Sequence, residues 1–73
     1  MADLSKWEVE AKTLLKAELK RRGVTYAQLI ERLAAVGVSE TEPNLRNKLS
    51  RGKFTAAFMM ACLEAIEARE LRL

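Results

Sequence analysis

No histidine occurs among the 73 residues, which removes imidazole general-base chemistry and most zinc sites. Cysteine is almost missing too. Cys62 stands alone, so no internal disulfide or CxxC clip can form, and a reducing, cytoplasmic setting is expected. One proline and three glycines leave no stretch of linker or low-complexity composition. The longest apolar run, Ala56 to Leu63, covers eight residues, against the roughly 20 that span a bilayer. The opening residues, Met1-Ala2-Asp3-Leu4-Ser5-Lys6-Trp7-Glu8, carry acids and no apolar run, unlike a signal peptide. No phosphate loop, nucleophile elbow or metal-spaced cluster is present, and carboxylates such as Glu64 and Glu67 imply no pocket. Membrane insertion, a bound metal, a cofactor and catalysis are therefore not expected.

What is present describes a folded chain. Apolar residues make up 49% and charged residues 32%, a balance that packed domains share and disordered segments do not. At 8.2 kDa the expectation is a single domain over residues 1–73. A core this small leaves little net stability, so association into a homodimer is expected, and Trp7 is a candidate anchor in the core or at a dimer contact.

The periodicity predicts four helices, over residues 6–22, 25–36, 43–51 and 55–68. The first opens on Ser5-Lys6-Trp7-Glu8, which reads as a capping box, and places Trp7, Ala11, Leu14, Leu15 and Leu19 on one stripe. Lys20, Arg21 and Arg22 suit its C-terminal dipole, and Gly23 ends it. Thr25-Tyr26-Ala27-Gln28 forms a second capping box, followed by Leu29, Ile30, Leu33 and Val36 and closed by Gly37. The third helix starts near Thr41 or Glu42, with Pro43 in its first turn. Its large apolar residues are Leu45 and Leu49, one turn apart, so Asn47 points the other way with Asn44, Ser50 and Arg51 beside it. Thr55 caps the fourth helix, whose stripe is Phe58, Met59, Cys62, Leu63 and Ile66. Its tail, Glu67 to Leu73, either continues the helix or frays. No run alternates as a strand would, so the fold class is all-α.

The net charge of +3 says less than its distribution. From Pro43 to Leu63 the cations Arg46, Lys48, Arg51 and Lys53 meet no acid. A second group, Lys12, Lys16, Lys20, Arg21 and Arg22, is opposed only by Glu18. Double-stranded DNA is the partner that suits such segregation, because each cation set on a phosphate releases a counterion. Arginine also bonds two atoms of guanine, and asparagine or glutamine two atoms of adenine, in the major groove. A short exposed helix carrying Asn44, Arg46, Asn47, Lys48 and Arg51 supplies those groups, its angle set by the preceding helix and turn.

The chain resembles the lambda-repressor-like (Cro/C1, XRE-type) helix-turn-helix family. "VTYAQLIERLAA" is similar to that family's first motif helix, "NLRNKLSRGKF" to its recognition helix and glycine loop, and "TAAFMMACLEAI" to its next core helix. The resemblance covers roughly Ala11 to Ile66. The strings "LKRRGVTYAQL", "NKLSRGKF" and "CLEAI" are closer still to a short bacterial domain family of unknown function. The repressor resemblance implies a compact four-helix domain and a DNA-binding transcription regulator, most simply a repressor. It also implies that Tyr26, Gln28 and Lys53 touch the DNA backbone, while Asn44, Arg46, Asn47, Lys48 and Arg51 face bases or backbone. That family's fifth helix has no counterpart here, which leaves Leu71 and Leu73 as candidates for an intersubunit contact beside Trp7. The other function class open to such a scaffold is a protein-interaction module using the apolar surface around Met60, Leu71 and Leu73.

Overall fold

A computed structural model describes residues 3–71. It contains α1 (Ser5–Arg22), α2 (Tyr26–Ala35), α3 (Glu42–Arg51) and α4 (Ala56–Ala65), with no strand among the described residues. The all-α, four-helix expectation therefore holds. The radius of gyration is 11.8 Å, close to the ~11 Å of a compact chain this long.

Local signals set most of the helix ends. Thr25 accepts the Gln28 N–H at 3.1 Å, and the Gln28 side chain accepts the Thr25 N–H at 2.9 Å. Thr41 caps α3 by accepting from Asn44 N–H, and Thr55 caps α4 by accepting from Phe58 N–H. At the end of α1, Gly23 adopts the left-handed conformation. Its N–H and that of Val24 donate back to Lys20 and Leu19, the paired bonds of a Schellman motif.

Two termini depart from expectation. Ser5 is not a cap: it is the first helical residue, Leu4 stands at the cap position without a side-chain bond, and Ser5 N–H donates to Asp3 Oδ1 at 2.9 Å. That bond holds the Asp3 carboxyl below its usual range. The last helix stops at Ala65 instead of reaching residue 68, because Glu67 turns left-handed at φ 60°. Ala68 N–H then donates to Leu63 O at 2.8 Å and Glu67 N–H to Glu64 O at 3.0 Å, the same Schellman closure without a glycine.

The core joins all four helices. Leu15, Leu19, Leu29, Leu33, Leu45, Leu49, Cys62 and Ile66 are buried, and Val24 seals the α1–α2 corner. Phe54, Phe58, Met59 and Leu63 pack half-buried against them. α3 lies against both α1 and α2, and α2 also packs on α4. Trp7, expected in the core or at a dimer contact, is 59% exposed with Lys6 Nζ 5.0 Å from its ring; its position near the end of α1 carries it past the buried Leu15 and Leu19. Val36 also leaves the core stripe, because α2 ends before it and the chain turns outward.

Candidate nucleic-acid interface

Leu45 and Leu49 are fully buried and fasten one side of α3 to the domain. Residues 100° apart per step on a helix then place Asn44, Asn47 and Arg51 on the opposite side, and all three are exposed. The Asn47 backbone carbonyl accepts the Ser50 hydroxyl, while its amide side chain and the Arg51 guanidinium bond to nothing among the described residues. Lys53 follows, exposed, in the loop after Gly52. The Asn47 amide and the Arg51 guanidinium thus stand in water on a rigid support, while the exposed Asn44 side chain lies within hydrogen-bonding reach of the Glu40 carboxylate.

Arg46 is 60% exposed and pairs with Glu42 at 2.8 Å, one helical turn away. Exposed pairs of this kind contribute roughly 0–1 kcal/mol, so a phosphate can displace the carboxylate. The same guanidinium lies 5.7 Å from the Tyr26 ring, which ties the start of α2 to the surface of α3. Gln28 is exposed nearby, but its side-chain oxygen is occupied by the capping box. Only its amide nitrogen remains to donate.

Lys48 was expected among the groups reaching outward, and its position corrects that. Its Nζ donates to Glu40 Oε2 at 2.6 Å and sits 4.4 Å from the Phe58 ring. The Glu40 side chain is only 8% exposed, and the Lys48 bond, foremost, holds its carboxyl below the usual range. Lys48 therefore clamps the link between α2 and α3 to the helix it stands on. Beneath this pair lies Cys62, whose thiol burial pushes up to about 12, so it is a packed, protonated side chain and not a redox group. On α1, Arg21 and Arg22 both bond to the buried Glu18, the acid that the sequence sets against them. The Arg21 bond, foremost, keeps that carboxyl ionised.

Sequence reasoning missed two features. Lys12 Nζ donates to the Ser50 carbonyl at 2.9 Å, joining α1 to the last turn of α3; nothing in a helical repeat signals a bond across 38 positions. The other is a recess of about 660 Å³ between the end of α2 and α4, lined in part by Arg32, Val36, Met60, Leu63 and Glu64. Val36 is 44% and Met60 70% exposed there. Leu71 instead borders a smaller hollow with Leu14, Ala17, Glu18 and Arg21, and Leu73 lies outside the described residues. Trp7 lines neither recess.

Among the described residues no group of acids or thiols is placed to hold a metal ion, and no helix is long and apolar enough to cross a membrane. Compared with known proteins, residues 7–71 match a family model described as a domain of unknown function (DUF6471). No curated protein and no solved structure matches the chain.

Proposed function

Since the chain belongs to the DUF6471 family over residues 7–71, a span that includes all of α3, we propose that this helix is the reading element of a helix-turn-helix transcription regulator. In this reading α3 enters the major groove of duplex DNA, with α2 crossing the backbone beside it. The observation that carries it is the exposed stripe Asn44, Asn47 and Arg51 on a helix anchored by two fully buried leucines, in a segment without acid from Pro43 to Leu63. Asn44 and Asn47 supply the adenine-type contacts and Arg51 the guanine type. Lys53 supplies a phosphate contact, with Arg46 and Tyr26 at the groove edge. The protein acts in the cytoplasm as a repressor, by occupying its site.

The test is a gel shift on a duplex selected from a random library by the immobilised protein. Asn47→Ala and Arg51→Ala each weaken that binding by about 1–3 kcal/mol. Lys53→Ala lowers affinity on every sequence and flattens the salt slope by about one. Wild-type affinity in all three variants would end the proposal.

The homodimer belongs to the same reading, through the recess at Val36 and Met60. Arg32 on one side of it and Glu64 on the other have no ion-pair partner among the described residues. A two-fold copy sets Arg32 of one protomer against Glu64 of its partner around the apolar centre. Light scattering is expected to show a dimer that Met60→Glu converts to the 8.2 kDa chain. The exposure of Met60 also favours a second reading, an adaptor or anti-repressor that seats another protein in this recess. Retention of that protein after charge reversal at Arg46 and Arg51, with no salt-dependent DNA binding, would decide for it.

A further inference from the structure

α1 and α3 lie side by side and run in opposite directions. Near one end of the contact, Gly52 approaches the Glu8 backbone so closely that an added Cβ would stand 2.1 Å from the Glu8 carbonyl oxygen. Four residues along α1, Lys12 reaches Ser50. Further on, Lys16 and Lys20 line a shallow recess of about 290 Å³ with Thr25 and Tyr26, and Tyr26 carries the Arg46 guanidinium on its ring. Advancing along α1 from Glu8 to Lys20 therefore means returning along α3 from Gly52 toward Arg46. Lys12, Lys16 and Lys20 follow at four-residue spacing and form a ridge that is bonded to α3 at Lys12 and reaches Tyr26, on which Arg46 lies, at its other end.

Lys12 gives one of its three ammonium donors to the Ser50 carbonyl, and Lys16 and Lys20 have no hydrogen-bond partner among the described residues, so the ridge keeps donors for a ligand. Glu18, the acid that the sequence sets against it, is buried and bonded to Arg21 and Arg22. None of the three lysines forms an ion pair among the described residues, and Lys16 and Lys20 are exposed. From Lys12 to Lys20 the helix rises roughly 12 Å at 1.5 Å per residue, the length of three to four base pairs along a duplex. Packed helices stand about 8–10 Å apart and the major groove is about 12 Å wide. With α3 in the groove, the neighbouring helix lies over the phosphate strand that borders it.

We infer that the Lys12–Lys16–Lys20 ridge of α1 is a second backbone-binding element, which holds the phosphates of the strand flanking the groove that α3 occupies. The inference rests on the DNA reading above and adds to it a role for α1. The ridge contributes affinity without sequence preference, and it fixes how α3 is rotated about its own axis in the groove.

Fluorescence anisotropy on a 30-base-pair duplex of arbitrary sequence, from 50 to 200 mM KCl, tests it. Lys16→Gln/Lys20→Gln is the main variant, since both side chains are exposed and such surface changes leave the fold intact. A second variant, Lys6→Gln, removes a cation that sits over Trp7 at 5.0 Å, beyond the ridge. Each lost phosphate contact flattens the slope of log K against log salt by about 0.9. The double variant should lose about 1.8, so that its deficit at 50 mM exceeds that at 200 mM by roughly 12-fold, while Lys6→Gln keeps the wild-type slope. An unchanged slope in the double variant, with Lys53→Ala still flattened, overturns the ridge and leaves the DNA reading standing. A loss of about 0.9 in Lys6→Gln, the same per charge removed, also overturns it, because net charge alone would then account for the effect. Absence of salt-dependent binding by the wild type overturns both.

Discussion

Replacing Gly52 by alanine tests the contact that sets α1 against α3, and the chain carries its own control. Gly52 has φ 70° and Gly23 φ 67°, so alanine is strained to the same degree at both. That strain is about 1–2 kcal/mol, less the ~0.4–1 kcal/mol recovered from a stiffer unfolded chain. The surroundings differ. A Cβ on Gly23 meets nothing within 4 Å, whereas one on Gly52 lies 2.1 Å from Glu8 O and 2.7 Å from Glu8 C. Those are backbone atoms of α1, which no rotamer change can move aside. Relief requires shifting one helix from the other, at the roughly 1–3 kcal/mol typical of an overpacked interior.

Gly23→Ala should therefore cost about 1 kcal/mol and Gly52→Ala about 2–4 kcal/mol. For a chain this long, total stability is on the order of 4–11 kcal/mol, so the second variant loses a large share of it. Urea unfolding at a constant m-value measures both. In thermal unfolding the two should differ by at least about 4 °C, since 1 kcal/mol moves the midpoint by roughly 4–8 °C in domains of this size. Gly52→Ala within 0.5 kcal/mol of Gly23→Ala would refute the reasoning, because the close approach would then carry no cost.

Two further outcomes follow from the same structure. Lys48→Ala should destabilise the domain by about 1–3 kcal/mol, the cost of leaving the nearly buried Glu40 carboxylate without its partner, while Asn47→Ala stays within about 0.5 kcal/mol. The wild-type clamp is intact above the Glu40 reference value of 4.5 and is lost as pH falls below it through the depressed folded value, so an acid limb that persists unchanged in Lys48→Ala would exclude it. Cys62, raised from 9.0 to about 12, should label with iodoacetamide at pH 8 only as fast as the domain opens. The unfolded thiol loses its proton first, so stability should fall as pH rises from about 9 toward 12; labelling as fast as a free thiol would refute its burial.

Much of the fold was legible because its signals act over a few residues. Thr25 with Gln28, Thr41 and Thr55 begin their helices as their spacing predicts. Leu45 and Leu49 alone were enough to orient α3 and to put Asn44, Asn47 and Arg51 on its outer side. The errors lie where a side chain had two partners to choose from. Ser5 and Glu8 had the spacing of a capping box, yet the Asp3 carboxylate took the Ser5 N–H. Glu67 ended a helix although its type favours continuing one, because the Leu63 and Glu64 carbonyls are satisfied by the turn it makes.

By itself the sequence determined the number of helices, where three of the four begin, which leucines turn inward and which amides stay outside. Each of these follows from backbone bonds within one turn and from the apolar period of a helix. Only the tertiary structure decided which cations remain available. Lys48 is held by Glu40 in the link before α3 and Lys12 by the Ser50 carbonyl, while Lys16 and Lys20 stand exposed beside Tyr26. Charges pair by distance in space, and that distance exists only once the α1–α3 contact at Gly52 and the link through Glu40 have formed.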